Sequence, residues 1–300
     1  MGSALLCDWG TTNLRAWRYD PVAGVTLARD FPMGIAVIGR EAPQWFADHV
    51  RPAMDAETLP ALLCGMVGAD LGWGGAGYHP CPASVSDLAG GLASVSREGP
   101  PVRIIPGLTC RRPDGGPDVM RGEETQILGW LAADNDRSLG ARRLCLPGTH
   151  SKWATLENGR VTGFTTYMTG ELHSLLMRHS ILRSEAPADD EAAFDAGLEA
   201  AGDGGALAAS LFSTRARVAV GEADVGQNPA FVSGVLIGAE VAAVLAEAPT
   251  RAVDLIGAPS LCRWYGRALA RHGVSAQVHD GADASLAGLI AIHGAAGDAA

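Results

Sequence analysis

The sequence predicts an α/β protein built from two similar halves that face each other across a cleft. Glycine is abundant, with 39 residues, and aromatic residues make up only 6% of the chain, which favours many tight strand–loop–helix junctions. Hydrophobic residues make up 47%, so the chain can bury substantial cores. A strand, a Gly-Thr turn and two further strands occur twice, and helices and strands follow each copy.

The two copies of this pattern align at a constant offset of 138 residues. "LCDWGTTNLRA" at 6–16 matches "LCLPGTHSKWA" at 144–154 in five of eleven positions. The first copy predicts the strands "ALLCD", "LRAWRYD" and "VTLARDF", and the second continues into "ATLEN" and "RVTGFTTYM". The shared order of elements indicates an ancient duplication, and ligands usually bind in the cleft between two such halves.

Helices and strands alternate after each copy. In the first half we expect a helix near 41–54 and the strands "ALLCGMV" and "VRIIPG". In the second half we expect the strands "AVDLIGA" and "SAQVHD" and helices near 171–182, 190–201, 230–248, 260–272 and 284–294. The chain thus divides into an N-terminal domain, 1–121, and a C-terminal domain, 122–300. The last helix, within 284–296, packs back on the N-terminal domain.

Charge and composition restrict the class of protein. The net charge of −10 argues against broad nucleic-acid binding, but it leaves room for a nucleotide held by Mg²⁺ and backbone amides. The six cysteines form no C-x-x-C pair, so we predict neither a disulfide framework nor a zinc or iron–sulfur site. "ALLCDWG" is too short for a signal peptide, and "FVSGVLIGAEVAAVLAEA" contains Glu240 and predicts a buried helix. We therefore expect a soluble, cytoplasmic protein without a membrane partner.

The two Gly-Thr turns are candidate phosphate sites, because such turns present backbone amides and hydroxyls. The predicted contacts are Gly10, Thr11, Thr12, Gly148 and Thr149. Asp8 precedes the first turn, where the second has Leu146, and one carboxylate is enough to organise one Mg²⁺. Alternatively, Asp8 caps its own turn. "GWGGAG" at 72–77 predicts a loop and not a dinucleotide fingerprint, because no helical pattern follows it.

The segment "VMRGEETQILGWLAA", at 119–133, predicts a helix with Glu123 and Glu124 in its first turn. The helix dipole favours carboxylates there, which explains them without any function. In the functional interpretation, one of them takes the proton from a hydroxyl that attacks a γ-phosphate. Arg121, just before the helix, either binds an anionic substrate group or is simply solvated.

Several motifs resemble those of a known superfamily. "DWGTTN", "GEETQ", "PGTHSKW" and "AVDLIGAPSLCRWYGRALA" resemble the phosphate, catalytic and adenosine motifs of the sugar kinases, heat-shock chaperones and actin. More closely, "DWGTTNLRAW", "GMVGADLGW", "IIPGL", "VMRGEETQ", "PGTHSKW", "MTGELHSLLMRHS" and "SGVLIGAEVA" resemble, in order, the 2-dehydro-3-deoxygalactonokinase family. The blocks span about residues 4–292. The resemblance implies two duplicated actin-like, ribonuclease H-like domains, with the nucleotide bound in the C-terminal one.

The resemblance implies ATP-dependent phosphorylation of the 6-hydroxyl of 2-dehydro-3-deoxy-D-galactonate, in galactonate catabolism. By position, Asp8 organises Mg²⁺ and Glu123 is the catalytic acid position, with Glu124 as the fallback. The phosphates contact Thr11, Thr12, Gly148 and Thr149. The adenosine contacts Gly257, Ala258 and Ser260. This chain has Gly-Ala at 257–258 where the superfamily often has Gly-Gly, so the Ala methyl keeps the backbone slightly further from the nucleotide.

A sugar acid has a carboxylate, which an arginine can bind. Arg15 and Arg121 are the candidates, and Arg15 could alternatively lie on the solvent face of its strand. Trp73 covers an apolar sugar face or belongs to the core. Glu171 and His173 bind hydroxyls, although a histidine in this position is more often on a helix surface.

Lys152, the single lysine of the chain, follows the second Gly-Thr turn. It either reaches a phosphate or the acid substrate, or is a solvated strand residue. Three alternatives to the leading function remain: a kinase for a related sugar or for the gluconate-series acid, a nucleotide-dependent switch of the same fold, and a phosphohydrolase or cluster-linked ATPase. A homodimer is also open.

Overall fold

The structure is a computed structural model that describes residues 2–96, 99–202 and 206–298. The chain forms two compact units. Unit 1 comprises Met1–Arg142, Ala154–Thr165 and Asp280–Ala300, and unit 2 comprises Arg143–Trp153 and Thr166–His279. The predicted boundary lies after residue 121, whereas unit 1 continues to Arg142, because the helix that follows Gly122 packs with the C-terminal helix inside unit 1.

Nine strands lie before residue 121 in the part of the chain that the structure describes. They are β1 (Ala4–Trp9), β2 (Leu14–Asp20), β3 (Gly24–Phe31), β4 (Ala61–Cys64), β5 (Tyr78–Pro80), β6 (Ala93–Ser94), β7 (Val102–Ile104), β8 (Gly107–Arg111) and β9 (Pro117–Met120). A six-stranded sheet has the order β3-β2-β1-β4-β7-β6, in which β1, β4 and β7 are parallel. A small sheet has the order β5-β8-β9, and it leads from β9 into the predicted catalytic helix.

The second large sheet has the order β12-β11-β10-β13-β14. Its strands are β10 (Ala141–Leu146), β11 (Ser151–Glu157), β12 (Arg160–Tyr167), β13 (Ala252–Ile256) and β14 (Ser275–His279). Both sheets thus run from the third through the second to the first strand of a copy, and then to two parallel strands. The predicted duplicated α/β fold is confirmed, and the cleft between the halves stays a prediction.

Helices follow the three-stranded copies, as predicted. In unit 1 they are α1 (Ile35–Ile38), α2 (Ala42–Trp45), α3 (Arg51–Ala53), α4 (Val85–Gly90) and α5 (Glu123–Ala132). Then come α6 (Thr169–His179), α7 (Glu191–Ala201), α8 (Leu207–Ala219), α9 (Asn228–Glu247), α10 (Pro259–Arg271) and, in unit 1 again, α11 (Gly281–Asp298). A π-helical turn, Phe46–Val50, joins α2 to α3, and short 3₁₀ turns occur at Gly39–Glu41, Met66–Gly68, Asn135–Ser138 and Val225–Gln227.

A close helix crossing occurs within each unit. In unit 1, α11 packs on β1 and crosses α5 so closely that a Cβ on Gly129 would lie 1.9 Å from Ala284 O. In unit 2, α7 and α9 cross in the same way at Gly197, whose Cβ would lie 2.2 Å from Phe231 O. Within the described residues, Val225–Glu247 is the one helical stretch long and apolar enough to cross a membrane, and 72% of its apolar window is buried inside the protein.

Candidate active site

The first Gly-Thr turn connects β1 and β2 in unit 1. Gly10 donates its backbone N–H to Asn13 O at 2.9 Å, which closes the turn. Thr11 and Thr12 are exposed, and the Thr12 hydroxyl donates to Asn13 Oδ1 at 2.5 Å. The turn therefore presents hydroxyl groups and backbone to solvent, as an anion-binding turn does.

The chain after β3 packs directly on this turn. Ile35 and Ala36 donate backbone N–H groups to Gly10 O and Thr11 O at 3.1 and 3.0 Å. A Cβ on Gly34 would lie 2.1 Å from Thr11 O, so only glycine permits this approach. The backbone of the following helix therefore fixes the position of the turn.

Asp8 lies near the end of β1, beside the first turn. In the sheet it is opposite Arg15 on β2 and Cys64 on β4. Its Oδ2 accepts a hydrogen bond from Ser285 Oγ on α11 at 2.8 Å. Burial raises the pKa of Asp8, and the Ser285 hydrogen bond and the Arg15 charge oppose that rise. The carboxylate lines a concave site together with Gly10, Thr12, Asn13 and Arg15.

The first turn of α5 comes close to Asp8 within unit 1. Gly122 precedes the helix with φ +106°, a left-handed backbone conformation that favours glycine. A Cβ on Gly122 would lie 3.3 Å from Gly65 Cα, and a Cβ on Gly65 would lie 3.2 Å from Asp8 Oδ1. Burial is the main cause of the raised pKa of Asp8, and the negative charge of Glu123 raises it further. The start of α5 therefore lies near Asp8, close enough for the two charges to interact.

The adjacent glutamates of α5 have different surroundings. Glu123 is half-buried, and its Oε2 accepts the backbone N–H of Arg121 at 3.1 Å. Glu124 is fully buried, and its oxygens accept the Gly122 N–H at 2.6 Å and the Thr125 hydroxyl at 3.0 Å. Burial, followed by the charge of Glu123, raises the pKa of Glu124 to about 8. Of the two, Glu123 is therefore the one that a ligand can reach.

The second Gly-Thr turn connects β10 and β11 in unit 2, and the start of α6 packs on it. Glu171 donates its backbone N–H to Thr149 O at 2.9 Å. A Cβ on Gly170 would lie 2.5 Å from Gly148 O, so this approach also requires glycine. The Glu171 carboxylate lies 2.5 Å from Nε2 of His150, at the end of the turn. The packing of a helix start on a Gly-Thr turn is thus repeated in both units.

A cavity of about 350 Å³ lies beside the second turn in unit 2. Ser260 and Leu261, in the first turn of α10, line it together with Trp264. The other lining residues are Gly148, Thr149, Thr169, Gly170, His173, Ala188, Ser233, Leu236, Ile237 and Tyr265. Apolar walls beside a Gly-Thr turn suit a ligand that combines a flat base with phosphates.

The chain matches the family described as 2-keto-3-deoxy-galactonokinase over residues 8–292. The chain belongs to this family. A protein of Rhizobium meliloti (strain 1021), described as a probable 2-dehydro-3-deoxygalactonokinase, is 37% identical over 292 residues, 95% of this chain and 94% of that protein. The 2-dehydro-3-deoxygalactonokinase of Escherichia coli (strain K12) is 36% identical over 289 residues, 95% of each chain.

A crystal structure from Sinorhizobium meliloti, described as that of a candidate 2-dehydro-3-deoxygalactonokinase, superposes with a TM-score of 0.88 and 35% identity. The superposition covers 96% of this chain and 97% of that chain. Family membership makes this chain an ATP-using sugar-acid kinase, which confirms the kinase prediction.

The predicted nucleotide residues of the kinase lie together in unit 2. Ser260 lines the same cavity as Gly148 and Thr149. Gly257 and Ala258 come just before α10, and Ala258 O accepts the backbone N–H groups of Leu261 and Cys262, each at 3.0 Å. The helix start that follows β13 thus lies at the cavity, as an adenosine site requires.

Arg15 and Trp73, two predicted acceptor residues of the kinase, both lie in unit 1 but have different surroundings. Arg15 is half-exposed, lines the concave site with Asp8, and has its Nε 3.7 Å from Asp30 Oδ1. Trp73 is half-buried, and its ring packs on Phe46 with 5.4 Å between centroids. Arg15 is therefore placed to meet a ligand at Asp8, whereas part of Trp73 belongs to the core.

Arg121 packs against the loop before β5. Its Nη2 donates to Gly77 O at 2.8 Å, and its guanidinium stacks on the Tyr78 ring, 4.5 Å from the centroid. Its Nε and Nη1 are buried and have no hydrogen-bond partner within the described residues. The alternative of a merely solvated side chain is therefore wrong for most of the guanidinium.

The other two predicted acceptor residues, Glu171 and His173, lie on α6 in unit 2. Glu171 pairs with His150, as described above. His173 lines the cavity, and its Nε2 donates to Pro229 O at 2.9 Å. Both residues thus lie close to the second turn, and their contact with the sugar acid stays a prediction.

Lys152 lies on β11, directly after the second turn, and only 5% of its surface is exposed. Its Nζ donates to His150 O at 3.2 Å. The alternative of a solvated strand residue is wrong, because both faces of β11 are covered at this point. Its contact with a phosphate or with the acid substrate stays a prediction.

Sequence reasoning placed Glu240 on a buried helix but assigned its carboxylate no partners and no role. Glu240 is 3% exposed in the middle of α9, and it accepts four side-chain hydrogen bonds. An acidic residue inside an otherwise apolar helix was the available signal, since buried charges require partners. The partners themselves could not be found, because they come from three distant segments.

Proposed function

We propose that this kinase transfers the γ-phosphoryl group of ATP to the 6-hydroxyl of 2-dehydro-3-deoxy-D-galactonate, in the cytoplasm. The half-buried carboxylate of Glu123 beside Asp8 carries the proposal, because a phosphoryl transfer to a hydroxyl needs an accessible base. Glu123 takes the hydroxyl proton while the new O–P bond forms. The bond between the β-phosphate and the γ-phosphorus breaks, and ADP leaves. The names of the two relatives support the choice of acceptor.

Asp8 is the proposed Mg²⁺ organiser. The carboxylate of Asp8 shares its concave site with Thr12 and Asn13, whose side-chain oxygens are ligands of the type that Mg²⁺ prefers, and the ion usually keeps several of its waters. When bound, the ion would neutralise charge on the phosphate oxygens. The Ser285 hydroxyl holds the Asp8 carboxylate in place by a hydrogen bond. The protein thus supplies a carboxylate in a fixed position beside the first turn.

The nucleotide occupies the unit 2 cavity in this proposal. Ser260 and the start of α10 bind the adenosine, and Gly148 and Thr149 bind phosphate oxygens through the second turn. The first turn, with Gly10, Thr11 and Thr12, is a second candidate phosphate contact, which we propose from its own exposed hydroxyls and backbone. The apolar walls exclude water from the base, and the turns supply the polar contacts.

The carboxylate of the sugar acid requires a cation in unit 1. We assign Arg15, which lines the Asp8 site, and Arg121, whose Nε and Nη1 have no hydrogen-bond partner in the described part of the chain. A planar guanidinium binds a carboxylate through two parallel N–H groups, which fixes the orientation of the acceptor. The hydroxyl is then presented to Glu123 in one geometry.

The first experiment measures ADP release with each of the two 2-dehydro-3-deoxy acids, the galactonate and the gluconate isomer, with free sugars, and without acceptor. We expect the highest kcat/KM with the galactonate isomer, and mass spectrometry should find one phosphate at its 6-position. A hydrogen bond to the one hydroxyl that differs can discriminate strongly between the isomers. Acceptor-independent ADP release would contradict the proposal.

The second experiment compares Glu123→Gln with Glu124→Gln. Loss of a general base typically costs about 10²–10⁴-fold in rate, so Glu123→Gln should lose most turnover while ADP binding, measured by calorimetry, is retained. Glu124→Gln keeps the accessible base and is the matched control. Near-normal kcat in Glu123→Gln would refute the assignment of the base.

A further inference from the structure

Glu240 is a charged residue in an unusual position. It lies on α9 among residues that form the core of unit 2, and only 3% of its surface is exposed. The burial of a carboxylate is costly unless hydrogen bonds satisfy its oxygens. A well-packed apolar residue could occupy such a position at lower cost. The presence of a carboxylate at this position, instead of an apolar side chain, therefore needs an explanation.

Four donors satisfy this carboxylate, two on each oxygen. Oε1 accepts from Ser151 Oγ at 2.8 Å and from Trp153 Nε1 at 2.6 Å. Oε2 accepts from Tyr265 Oη at 3.0 Å and from the hydroxyl of Thr169 by a short hydrogen bond. Burial raises the pKa of Glu240, and these four hydrogen bonds oppose the rise.

The donors come from three segments at the proposed nucleotide cavity, which residues of α9 and Ala188 also line. Ser151 and Trp153 lie on the same face of β11, in the three residues that directly follow the second turn. Thr169 begins α6, whose next residue, Gly170, packs on that turn. Tyr265 lies on α10, and both Thr169 and Tyr265 line the cavity.

From this arrangement we infer that Glu240 is a positioning residue for ATP, which holds the second Gly-Thr turn and the adenosine helix in one fixed geometry. The inference rests on the proposed binding of ATP in the unit 2 cavity. Glu240 itself does not line the cavity, so it acts through Ser151, Thr169 and Tyr265. A fully satisfied buried network specifies one arrangement of its members, whereas apolar packing allows small shifts. A phosphate site depends on such precision, because displaced donors lose their hydrogen bonds.

The test uses Glu240→Gln and Ser151→Ala, two changes at positions outside the cavity lining. The glutamine carbonyl can still accept from Trp153, but its amide group is a donor that faces the hydroxyls of Thr169 and Tyr265. Ser151→Ala removes a single donor and leaves the charge. Thr214→Val is the matched control, because it removes a buried hydroxyl on α8 that has no hydrogen-bond partner in the described part of the chain.

The measurements are KM for ATP at saturating sugar acid, KM for the sugar acid at saturating ATP, the Kd for ADP by calorimetry, and the thermal midpoint. We expect KM for ATP and the Kd for ADP to rise about fivefold or more in both variants. KM for the sugar acid should stay within about twofold, and Thr214→Val should change neither nucleotide constant. The double variant should be less than additive, because both changes act on one network.

A lower thermal midpoint with unchanged nucleotide constants in both variants would overturn the inference, since it would show a purely structural role. If Glu240→Gln does not fold, Ser151→Ala decides alone. Failure of the proposed function has a different signature. The wild-type kinase would then bind ADP without phosphorylating the sugar acid, and the comparison of ADP affinities would still test the role of Glu240.

Discussion

Replacement of Gly170 by alanine tests the idea that backbone packing fixes the second Gly-Thr turn. The new Cβ would lie 2.5 Å from Gly148 O and 2.8 Å from Thr149 Cα, and both partners are backbone atoms that cannot rotate away. Ordinary contact distances are roughly 1 Å longer, so the turn or the start of α6 must move by a comparable amount. Overpacking of this kind costs about 1–3 kcal/mol, whereas alanine in an unobstructed helix position gains up to about 1 kcal/mol over glycine.

The net expectation for Gly170→Ala is therefore a loss of about 1–2 kcal/mol in the free energy of unfolding, or a few degrees in Tm. A displacement of this size can cost about 10²-fold in catalysis, so kcat/KM for ATP should fall by at least about tenfold. Initial rates and calorimetry measure both effects. Gly163→Ala on β12 is the control, because nothing lies within 4 Å of its new Cβ. A Gly170→Ala variant with unchanged KM for ATP and an unchanged or higher Tm would refute the reasoning.

Three further changes test other parts of the kinase. Burial raises the pKa of Glu124 to about 8 from a reference of 4.5, so its protonated form stabilises the fold fully below about pH 4.5 and loses this contribution as the pH rises to about 8. The urea midpoint of the wild type should thus fall more steeply between pH 5.5 and 7.5 than that of Glu124→Gln, and parallel curves would contradict this. Lys152→Met keeps the buried stem and removes the ammonium; if that charge serves the phosphates, kcat/KM should fall by about tenfold or more at nearly constant Tm, and unchanged kinetics would exclude the role. Ser233→Phe fills part of the cavity, so binding of a fluorescent ADP analogue should be largely lost, and retained binding would place the nucleotide elsewhere.

The sequence patterns predicted the strands of the two large sheets except the two-residue edge strand β6, because long apolar or alternating strands and their turns give strong local signals. They missed the small sheet β5-β8-β9. Its strands have three to five residues, and Pro80 and Pro117 interrupt the pattern of a strand. They also missed α8, whose Phe212 is 60% exposed, so its apolar residues do not mark a single buried face. Such elements exist because of tertiary contacts and not because of local preference.

The candidate site was predictable where one short motif supplies the chemistry. The turns with Thr11 and Thr149, and the paired glutamates after Gly122, were found from spacing and turn residues. The residue pattern alone left the choice between Glu123 and Glu124 open, and only the family resemblance favoured Glu123, because accessibility depends on which residue the fold buries. Arg121 shows the same limit, since its stacking on Tyr78 joins two segments that no local pattern connects.

The two copies of the repeat share one backbone contact at their Gly-Thr turns but differ in the residues around it. Gly34 in unit 1 and Gly170 in unit 2 both let the chain after the third strand pack on its Gly-Thr turn. Unit 1 keeps Asp8 at its strand end, where unit 2 has Leu146. A carboxylate exposed at a phosphate site repels the ligand unless a cation neutralises it, whereas one buried among four donors leaves the site surface unchanged. In unit 2 the buried carboxylate is Glu240. Under the proposed function, the two copies of one turn therefore serve different ligands, the metal in unit 1 and the nucleotide in unit 2, on the same fold.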